Sequence, residues 1–174
     1  KEYYREQKQK PYDKNVKLLT VENAVSQGSY RDLSFNLHAG EVLCLVGTEG
    51  SGREEILRSV FGISKPDKGK IYIKGKEVKH FSARSGVENG IGYIPRERKV
   101  EGIIAGMSVY ENITLSQLDK HSSFGILRIS EERSLARSWI NQLSIKAPSE
   151  QIDCGGLSGG NQQKVVLAKW RSGG

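Results

Sequence analysis

Hydrophobic positions in the first third of the chain change from the period of a β-strand to that of a helix. Residues 17–25 (KLLTVENAV) and 33–38 (LSFNLH) read as strands, and residues 41–47 (EVLCLVG) are almost continuously apolar, as in a central buried strand. The next stretch, residues 54–62 (EEILRSVFG), has its apolar side chains at helical spacing and ends in a glycine. The pattern predicts a buried strand, a glycine-rich loop and a helix, in that order.

Two short strand patterns and a helix follow. Residues 65–80 (KPDKGKIYIKGKEVKH) alternate around Ile71 and Ile73 and predict a lysine-rich hairpin. Residues 91–95 (IGYIP) predict a short strand that ends at its proline, and residues 107–118 (MSVYENITLSQL) have helical character.

The last part of the chain is predicted to contain two more helices. In residues 130–145, Ser130 is the expected N-cap and two glutamates follow it, as suits a helix N-terminus. One apolar stripe of this helix consists of Leu135, Trp139 and Leu143, which favours a core position for the tryptophan. Residues 157–170 (LSGGNQQKVVLAKW) predict a glycine turn that leads into a helix.

Composition fits one soluble domain. The 174 residues are 36% hydrophobic, which is enough to form a core, and no run of about 18 apolar residues occurs. The first residues lack the apolar centre of a secretion signal. Cys44 and Cys154 are far apart in sequence and show no metal-ligand spacing, so two reduced thiols are expected. These features predict a soluble intracellular protein.

Positive charge is concentrated in the predicted hairpin. The chain carries a formal charge of +7, and residues 65–80 have six lysines against two acids. We interpret these lysines as the solvated outer face of the hairpin, and a surface for a polyanion or an anionic membrane is the alternative.

The first glycine motif, residues 47–54, has the outline of a phosphate-binding loop. Its candidate nucleotide-binding residues are Gly47, Thr48, Glu49, Gly50, Ser51, Gly52, Arg53 and Glu54. Glycines allow backbone N–H groups to curl around phosphates at the start of a helix. However, Arg53 replaces the expected lysine and Glu54 the expected hydroxyl, so we expect weak nucleotide binding with poor hydrolysis. A glycine turn that serves packing alone is the alternative.

The second glycine motif, residues 157–160 (LSGG), is more specific. Ser158, Gly159 and Gly160 stand at the start of a predicted helix, where hydroxyl and amide groups can donate to a phosphate. A simple glycine cap is the alternative. Together with the strand, loop and helix upstream, this motif resembles the signature loop of the ATP-binding-cassette (ABC) family.

Further sequence segments resemble one branch of that family. GSGREE, GYIPRERKVEGI, MSVYENI and LSGGNQQK look like the second cassette of the tandem ATP-binding subunits of bacterial ribose-, galactose- and xylose-type sugar importers. Arg53 is usual in that branch, whereas Glu54 departs even from its pattern.

The resemblance implies an α/β fold: a P-loop NTPase core of the ABC ATPase type with a mixed sheet, an antiparallel hairpin and a helical subdomain. It divides the chain into a linker, the nucleotide-binding core, the helical subdomain, and the signature loop with its helix; composition alone indicates a foreign tail after them. These parts are residues 1–16, 17–94, 95–151, 152–170 and 171–174.

Other family positions are altered here. The aromatic residue that stacks on adenine aligns near Val25, with Tyr30 as a poor substitute. The lid glutamine that contacts Mg²⁺ aligns near Arg96, so Glu54 and Arg96 stand where magnesium contacts are expected. The segment from Met107 to Leu115 aligns near the groove for the permease, although an ordinary amphipathic surface helix is equally consistent with its pattern.

The resemblance places no catalytic residue in these 174 residues, since the Walker B acid and the switch histidine follow the signature helix in the family. We therefore expect an incomplete core, inactive alone and prone to self-association. ATP and Mg²⁺ are the implied cofactors. The implied partners are the first cassette of the same polypeptide and membrane permease subunits, at the cytoplasmic face of the membrane.

Two other classes remain open. A nucleic-acid-associated cassette would use the lysine hairpin as a phosphate grip, but it would need interleaved aromatics, and only Tyr72 is available there. A non-hydrolysing regulatory module is the other, and in the form of a pure interaction module that binds no nucleotide it would show no stabilisation by Mg-ATP. We expect no nucleic-acid partner.

Overall fold

The computed structural model describes residues 12–123 and 125–172. The chain forms two compact units, one up to Asn89 and one from Gly90 onward. Most of the predicted linker lies outside the described residues, and β1 starts at Asp13, inside its predicted range. Of the predicted tail, Arg171 ends the last helix and Ser172 caps it, whereas residues 173–174 are not described.

The first unit is built on a four-stranded sheet in the order β2-β1-β3-β4. Its strands are β1 (Asp13–Ser26), β2 (Tyr30–Ala39), β3 (Lys68–Ile73) and β4 (Lys76–Glu77). Each neighbouring pair is antiparallel, and the β3–β4 pair is the lysine-rich hairpin predicted from the sequence. Lysines remain exposed on β3, where Lys70 forms an ion pair with Glu77 (3.3 Å), while Ile71 and Ile73 are buried.

Two helices complete the first unit, α1 (Arg53–Phe61) and α2 (Ala83–Glu88). The predicted C-terminal glycine is confirmed: Gly62 adopts φ 96° and donates to the carbonyl oxygens of Arg58 and Ser59. Such a left-handed end suits glycine. The core beneath the sheet consists of Val21, Ala24, Tyr30, Ile56 and Ile71.

Two predicted strands are absent from the described residues. Residues 41–47 and residues 91–95 have no regular secondary structure, although both were expected to form strands. A strand requires a neighbour to complete its ladder of hydrogen bonds, and no described strand pairs with either segment. Val42 and Val46 are consequently 94% and 90% exposed rather than buried. They provide the kind of apolar surface on which the predicted self-association would depend.

The second unit is mainly helical. It contains α3 (Val109–Thr114), α4 (Ile129–Gln142) and α5 (Gly159–Arg171), a π-helical turn (Arg98–Gly102), 3-10 turns (Leu115–His121 and Cys154–Gly156) and a small hairpin of β5 (Ser122–Ser123) and β6 (Ile126–Leu127). Its buried core includes Val109, Ile113, Ala136, Val165 and Val166, and Trp139 packs against it as predicted.

Local sequence determines where these helices start. At α3, Ser108 and Glu111 form a reciprocal capping box, in which the serine oxygen accepts from the Glu111 N–H (3.3 Å) and the glutamate accepts from the Ser108 N–H (2.8 Å). The prediction that Ser130 caps α4 is wrong, because the helix begins at Ile129 and its N-cap is Arg128, two residues earlier than predicted. A shift of about one or two residues is common at helix ends, where several residues can satisfy the first N–H groups.

Helix α3 is a core element of its unit. Val109, Asn112 and Ile113 have no exposed surface. The Asn112 side chain donates to the carbonyl oxygens of Ile104, Met107 and Ser108 and accepts from the Ile104 N–H. This buried network ties the inner face of α3 to the segment that precedes it.

Candidate nucleotide-phosphate sites at two helix N-termini

The first glycine motif runs directly into α1. Gly52 is the N-cap of the helix with φ 84° and ψ 3°, and its side-chain position is blocked: a Cβ there would lie 2.4 Å from the Ser29 carbonyl oxygen. Gly50 also has a positive φ of 77°. Only glycine fits the conformation and the space at residue 52, so the loop approaches the β1–β2 turn with bare backbone.

The charged side chains of the first motif alter what the helix end offers an anion. The Arg53 guanidinium donates to the Gly47 carbonyl oxygen, so it is engaged by its own loop. Glu54 and Glu55 lie in the first turn of α1. Carboxylates there complement the positive end of the helix dipole and oppose the approach of a phosphate. The charges around this helix end are therefore largely compensated by the first motif itself.

A cleft of about 520 Å³ opens beside this motif. It is lined by Gly28, Ser29, Tyr30, Arg31, Leu33, Cys44, Leu45, Val46, Ser51, Gly52, Arg53 and Ile56. The cleft brings part of the first motif together with the β1–β2 turn.

Neither candidate for adenine stacking is suited to that role. Tyr30 is only 6% exposed, and its hydroxyl is hydrogen-bonded to the Ser59 hydroxyl (3.0 Å). Burial raises the pKa of Tyr30, as expected for a phenol held in a core. Val25 pairs with Lys68 in the sheet and does not line the cleft. The tyrosine ring is a packing element with little face left for a base.

The second glycine motif forms the start of α5, as predicted. Ser158 is the N-cap, with φ −60° and ψ 153°, and is exposed together with Gly160. Among the described residues, nothing accepts from the backbone N–H groups of Gly159 or Gly160. The first turn of α5 contains no acidic residue. This helix end thus presents free donors and an uncompensated positive dipole.

Side chains of the first turn of α5 hold this motif in place. Asn161 donates through Nδ2 to the Ser158 hydroxyl oxygen (2.9 Å) and accepts from the Lys146 N–H (2.9 Å). The hydroxyl proton of Ser158 remains available for an outside acceptor, because the serine oxygen is the acceptor in this contact.

Gln162 supports the loop from beneath. It is 3% exposed, and its Nε2 lies 3.0 Å from the Leu157 carbonyl oxygen, 3.3 Å from that of Gly155 and 3.5 Å from that of Cys154. Sequence reasoning overlooked Asn161 and Gln162. The available signal was a pair of amide side chains directly after the glycines, at positions where they can reach back to the loop.

The remaining residues considered are Arg96 and the two cysteines. Arg96 is exposed and directly follows the buried Pro95. Each motif has one cysteine nearby in sequence: Cys44 is exposed and lines the cleft, whereas Cys154 is fully buried. Burial raises the pKa of Cys154 to about 11, despite the opposing charge of Lys169.

Comparison with known proteins places these features in context. Residues 30–172 match the sequence profile described as ABC transporter. The chain is 45% identical over 152 residues to the ribose import ATP-binding protein RbsA of Geobacillus kaustophilus, covering 87% of this chain and 31% of that protein. It is 40% identical over 162 residues to RbsA of Jannaschia sp., covering 93% and 31%. The chain thus spans about a third of the length of these curated relatives.

Solved structures at lower sequence identity share the fold of this chain. The dimeric post-hydrolysis structure of the ATP-binding cassette MJ0796 bound to ADP and Pi superposes with a TM-score of 0.71 at 21% identity, covering 88% of this chain and 68% of that one. A dimeric structure of MJ0796, described as a bacterial ABC transporter cassette, gives 0.72 at 20% identity with the same coverage. Within the described residues, no helix has both the length and the apolar character needed to cross a membrane.

Proposed function

The chain belongs to the ABC transporter family, and from this premise we propose that it is the second ATP-binding cassette of a bacterial sugar importer of the ribose type. In this role the second glycine motif is the signature loop. It donates hydrogen bonds from Ser158, Gly159 and Gly160 to the terminal phosphate of an ATP molecule that the partner cassette holds. The first glycine motif binds nucleotide weakly and contributes little to hydrolysis.

The fold predicted from the sequence is confirmed at the level of class. The α/β architecture superposes on ATP-binding cassettes over 88% of the chain. The sugar class rests on the names of the relatives, which are ribose import proteins at 40–45% identity. Because the chain spans 31% of those relatives, transport and ATP hydrolysis are assigned to the longer protein that contains this sequence.

The free donors at the start of α5 are the observation that carries this proposal. Exposed Ser158 and the unpaired N–H groups of Gly159 and Gly160 fit a phosphate oxygen, and no acid in the first turn repels one. Donors that are fixed before the reaction stabilise the charge that develops during phosphoryl transfer without a cost of reorganisation. Gln162 and Asn161 supply that fixation here.

The first motif supports a minor role for its own site. With Arg53 directed at the Gly47 carbonyl oxygen and Glu54 in place of a hydroxyl, the chain offers neither the ammonium nor the hydroxyl that usually meet the phosphates and Mg²⁺. When bound, ATP with Mg²⁺ supplies the phosphoryl group and its counter-charge. In this chain, backbone N–H groups of residues 47–54 would hold the nucleotide of its own site, whereas the signature loop would contact the nucleotide that the partner cassette holds.

The proposed partners follow from the different roles assigned to the two glycine motifs. They are the first cassette of the same polypeptide, which completes the ATP site at the signature loop, and membrane permease subunits. The protein would act as a peripheral subunit at the cytoplasmic face of the membrane.

Substitution of Ser158 by arginine in the full-length protein tests the proposal. We expect ATP turnover to fall by about 100-fold or more, since the large cation blocks the helix end and removes the hydroxyl. The matched control is Ser130→Arg, which makes the same change at an exposed position in the first turn of α4. Unchanged turnover in Ser158→Arg would contradict the proposal, provided that both variants fold as judged by thermal unfolding.

A further inference from the structure

Gly159 leaves room for the guanidinium group of Arg98. A Cβ built on Gly159 would lie 2.5 Å from Nη2 of Arg98 and 3.5 Å from its Cζ. No backbone strain requires glycine at this position, because Gly159 has no positive φ. The absence of a side chain at Gly159 therefore allows a close contact, in which the Arg98 guanidinium group packs directly against the first residue of α5.

The turn that carries Arg98 packs against the side of the same helix. Arg98 opens the π-helical turn Arg98–Gly102. A Cβ on Gly102 would lie 3.0 Å from the Val166 side chain and 3.2 Å from Cβ of Arg98, so this turn packs closely on α5. Further along the helix, the buried Lys169 ammonium donates to the Gly102 carbonyl oxygen (2.5 Å). The turn is thus fixed at two points, which limits the conformations of the arginine side chain.

One nitrogen of the Arg98 guanidinium group lacks a hydrogen-bond partner among the described residues. This nitrogen, Nε, is shielded from solvent. The group also lies beside the positive end of α5, whose first turn contains no acid. A cation next to a helix N-terminus is electrostatically unfavourable. Both positive groups would be stabilised by one anion placed between them, and guanidinium favours phosphate oxygens.

We propose that Arg98 is an additional phosphate-binding residue of the signature loop, whose guanidinium contacts the terminal phosphate of the nucleoside triphosphate held by the partner cassette. This inference rests on the proposed function. It adds a charged donor, supplied by a different segment of the chain, to the hydroxyl and amide donors of Ser158, Gly159 and Gly160.

Steady-state ATPase kinetics of the full-length protein test this proposal. Arg98→Gln keeps polar donors but loses the charge, and we expect it to raise the KM for ATP about 10-fold or more, as for loss of a charge-assisted hydrogen bond. Arg98→Lys keeps the charge and should recover most of the affinity. The control is Lys99→Gln, which removes the neighbouring exposed cation and should leave KM unchanged. Equal KM values for Arg98→Gln and wild type would overturn the proposal.

Gly159→Ala tests the same contact from the opposite side. The added methyl group displaces the guanidinium while Arg98 remains, so KM should rise by a similar factor. In the double variant with Arg98→Gln, the two effects should be clearly less than additive. Full additivity, or normal KM in Gly159→Ala, would contradict the proposal, and this arm remains informative if thermal unfolding shows that Arg98→Gln does not fold.

Ser158→Arg separates this inference from the proposed function. An inactive Ser158→Arg together with normal Arg98 variants would reject the role of Arg98 and retain the signature-loop assignment. Normal turnover in Ser158→Arg would reject both.

Discussion

The two glycine motifs use the same backbone device and differ in the charges around it. Each leads into a helix whose first N–H groups point toward a potential anion. At α1, Glu54 and Glu55 occupy the first turn and Arg53 is bonded to its own loop. At α5, the first turn contains no acid, and the nearby cation Arg98 has no partner for its Nε among the described residues. The helix end alone thus does not define a phosphate site; the neighbouring charges decide whether an anion is favoured.

The side chains that hold the two glycine motifs in place also differ. The second motif is supported by uncharged amides, since Gln162 and Asn161 bond to its carbonyl and hydroxyl oxygens and leave its positive potential intact. The first motif is supported by its own arginine. Support by a neutral side chain fixes the donors without consuming the charge that recognises the ligand, which is the arrangement expected for electrostatic preorganisation.

Removal of the amide support should have the largest effect on stability. Gln162→Ala leaves the carbonyl oxygens of the second motif without their buried donor, so we expect the free energy of unfolding to fall by about 2 kcal/mol. Chemical denaturation of the chain measures this change. Gln163→Ala is the control, because Gln163 is exposed on the next position of the helix. Equal stability of the two variants would show that Gln162 does not hold the loop.

Restoring the usual lysine and hydroxyl residues at the first motif should make it more like a phosphate site. Arg53→Lys combined with Glu54→Ser restores the usual ammonium and hydroxyl, and we expect the affinity for Mg-ATP to rise about 10-fold. Isothermal titration or thermal shift with Mg-ATP provides the measurement. Glu55→Ser, which removes an acid from the same turn without restoring the hydroxyl, should give a smaller gain. No gain in the double variant would refute our account of this loop.

The two cysteines should report the different exposure of the segments that precede the motifs. Cys44 should react readily with a thiol reagent in the native protein, whereas Cys154 should react only after unfolding, since it is buried and its pKa is raised by burial from 9.0 to about 11. Mass spectrometry of the labelled sites measures this difference. Fast labelling of Cys154 in the native state would contradict the described packing.

The raised pKa of Cys154 also links stability to pH. An acid whose folded pKa lies above its unfolded value stabilises the fold below the unfolded pKa, and this contribution is lost as pH rises through the folded pKa. The window here runs from pH 9.0 to about 11. Cys154→Ala should flatten the stability curve in that range.

Sequence patterns correctly predicted the elements that are stabilised by local interactions. The helix ending at Gly62, the hairpin at residues 65–80 and the start of α5 at Ser158 were all recognisable, since each depends on residues close in the chain. The segment at residues 41–47 was not predicted correctly, because an apolar run becomes a strand only when a neighbour pairs with it.

The candidate sites show the same limit. The residues of both motifs were identifiable from their glycines, but the supporting and charged neighbours were not. Gln162 is close to the loop in sequence, since it donates to the carbonyl oxygen of Leu157. Arg98, in contrast, is separated from Gly159 by 61 positions in the sequence. Sequence spacing alone contains no sign of that contact, since it depends on how the π-helical turn packs against α5.

A structure of the full-length protein, trapped with a non-hydrolysable ATP analogue, tests the central claim most directly. The quantity to measure is the distance from the Ser158 hydroxyl oxygen to the nearest terminal phosphate oxygen. Our account predicts about 2.7–3.0 Å, a direct hydrogen bond to the nucleotide held by the partner cassette. A separation beyond about 6 Å in the closed, nucleotide-bound state, too long for any such bond, would contradict it.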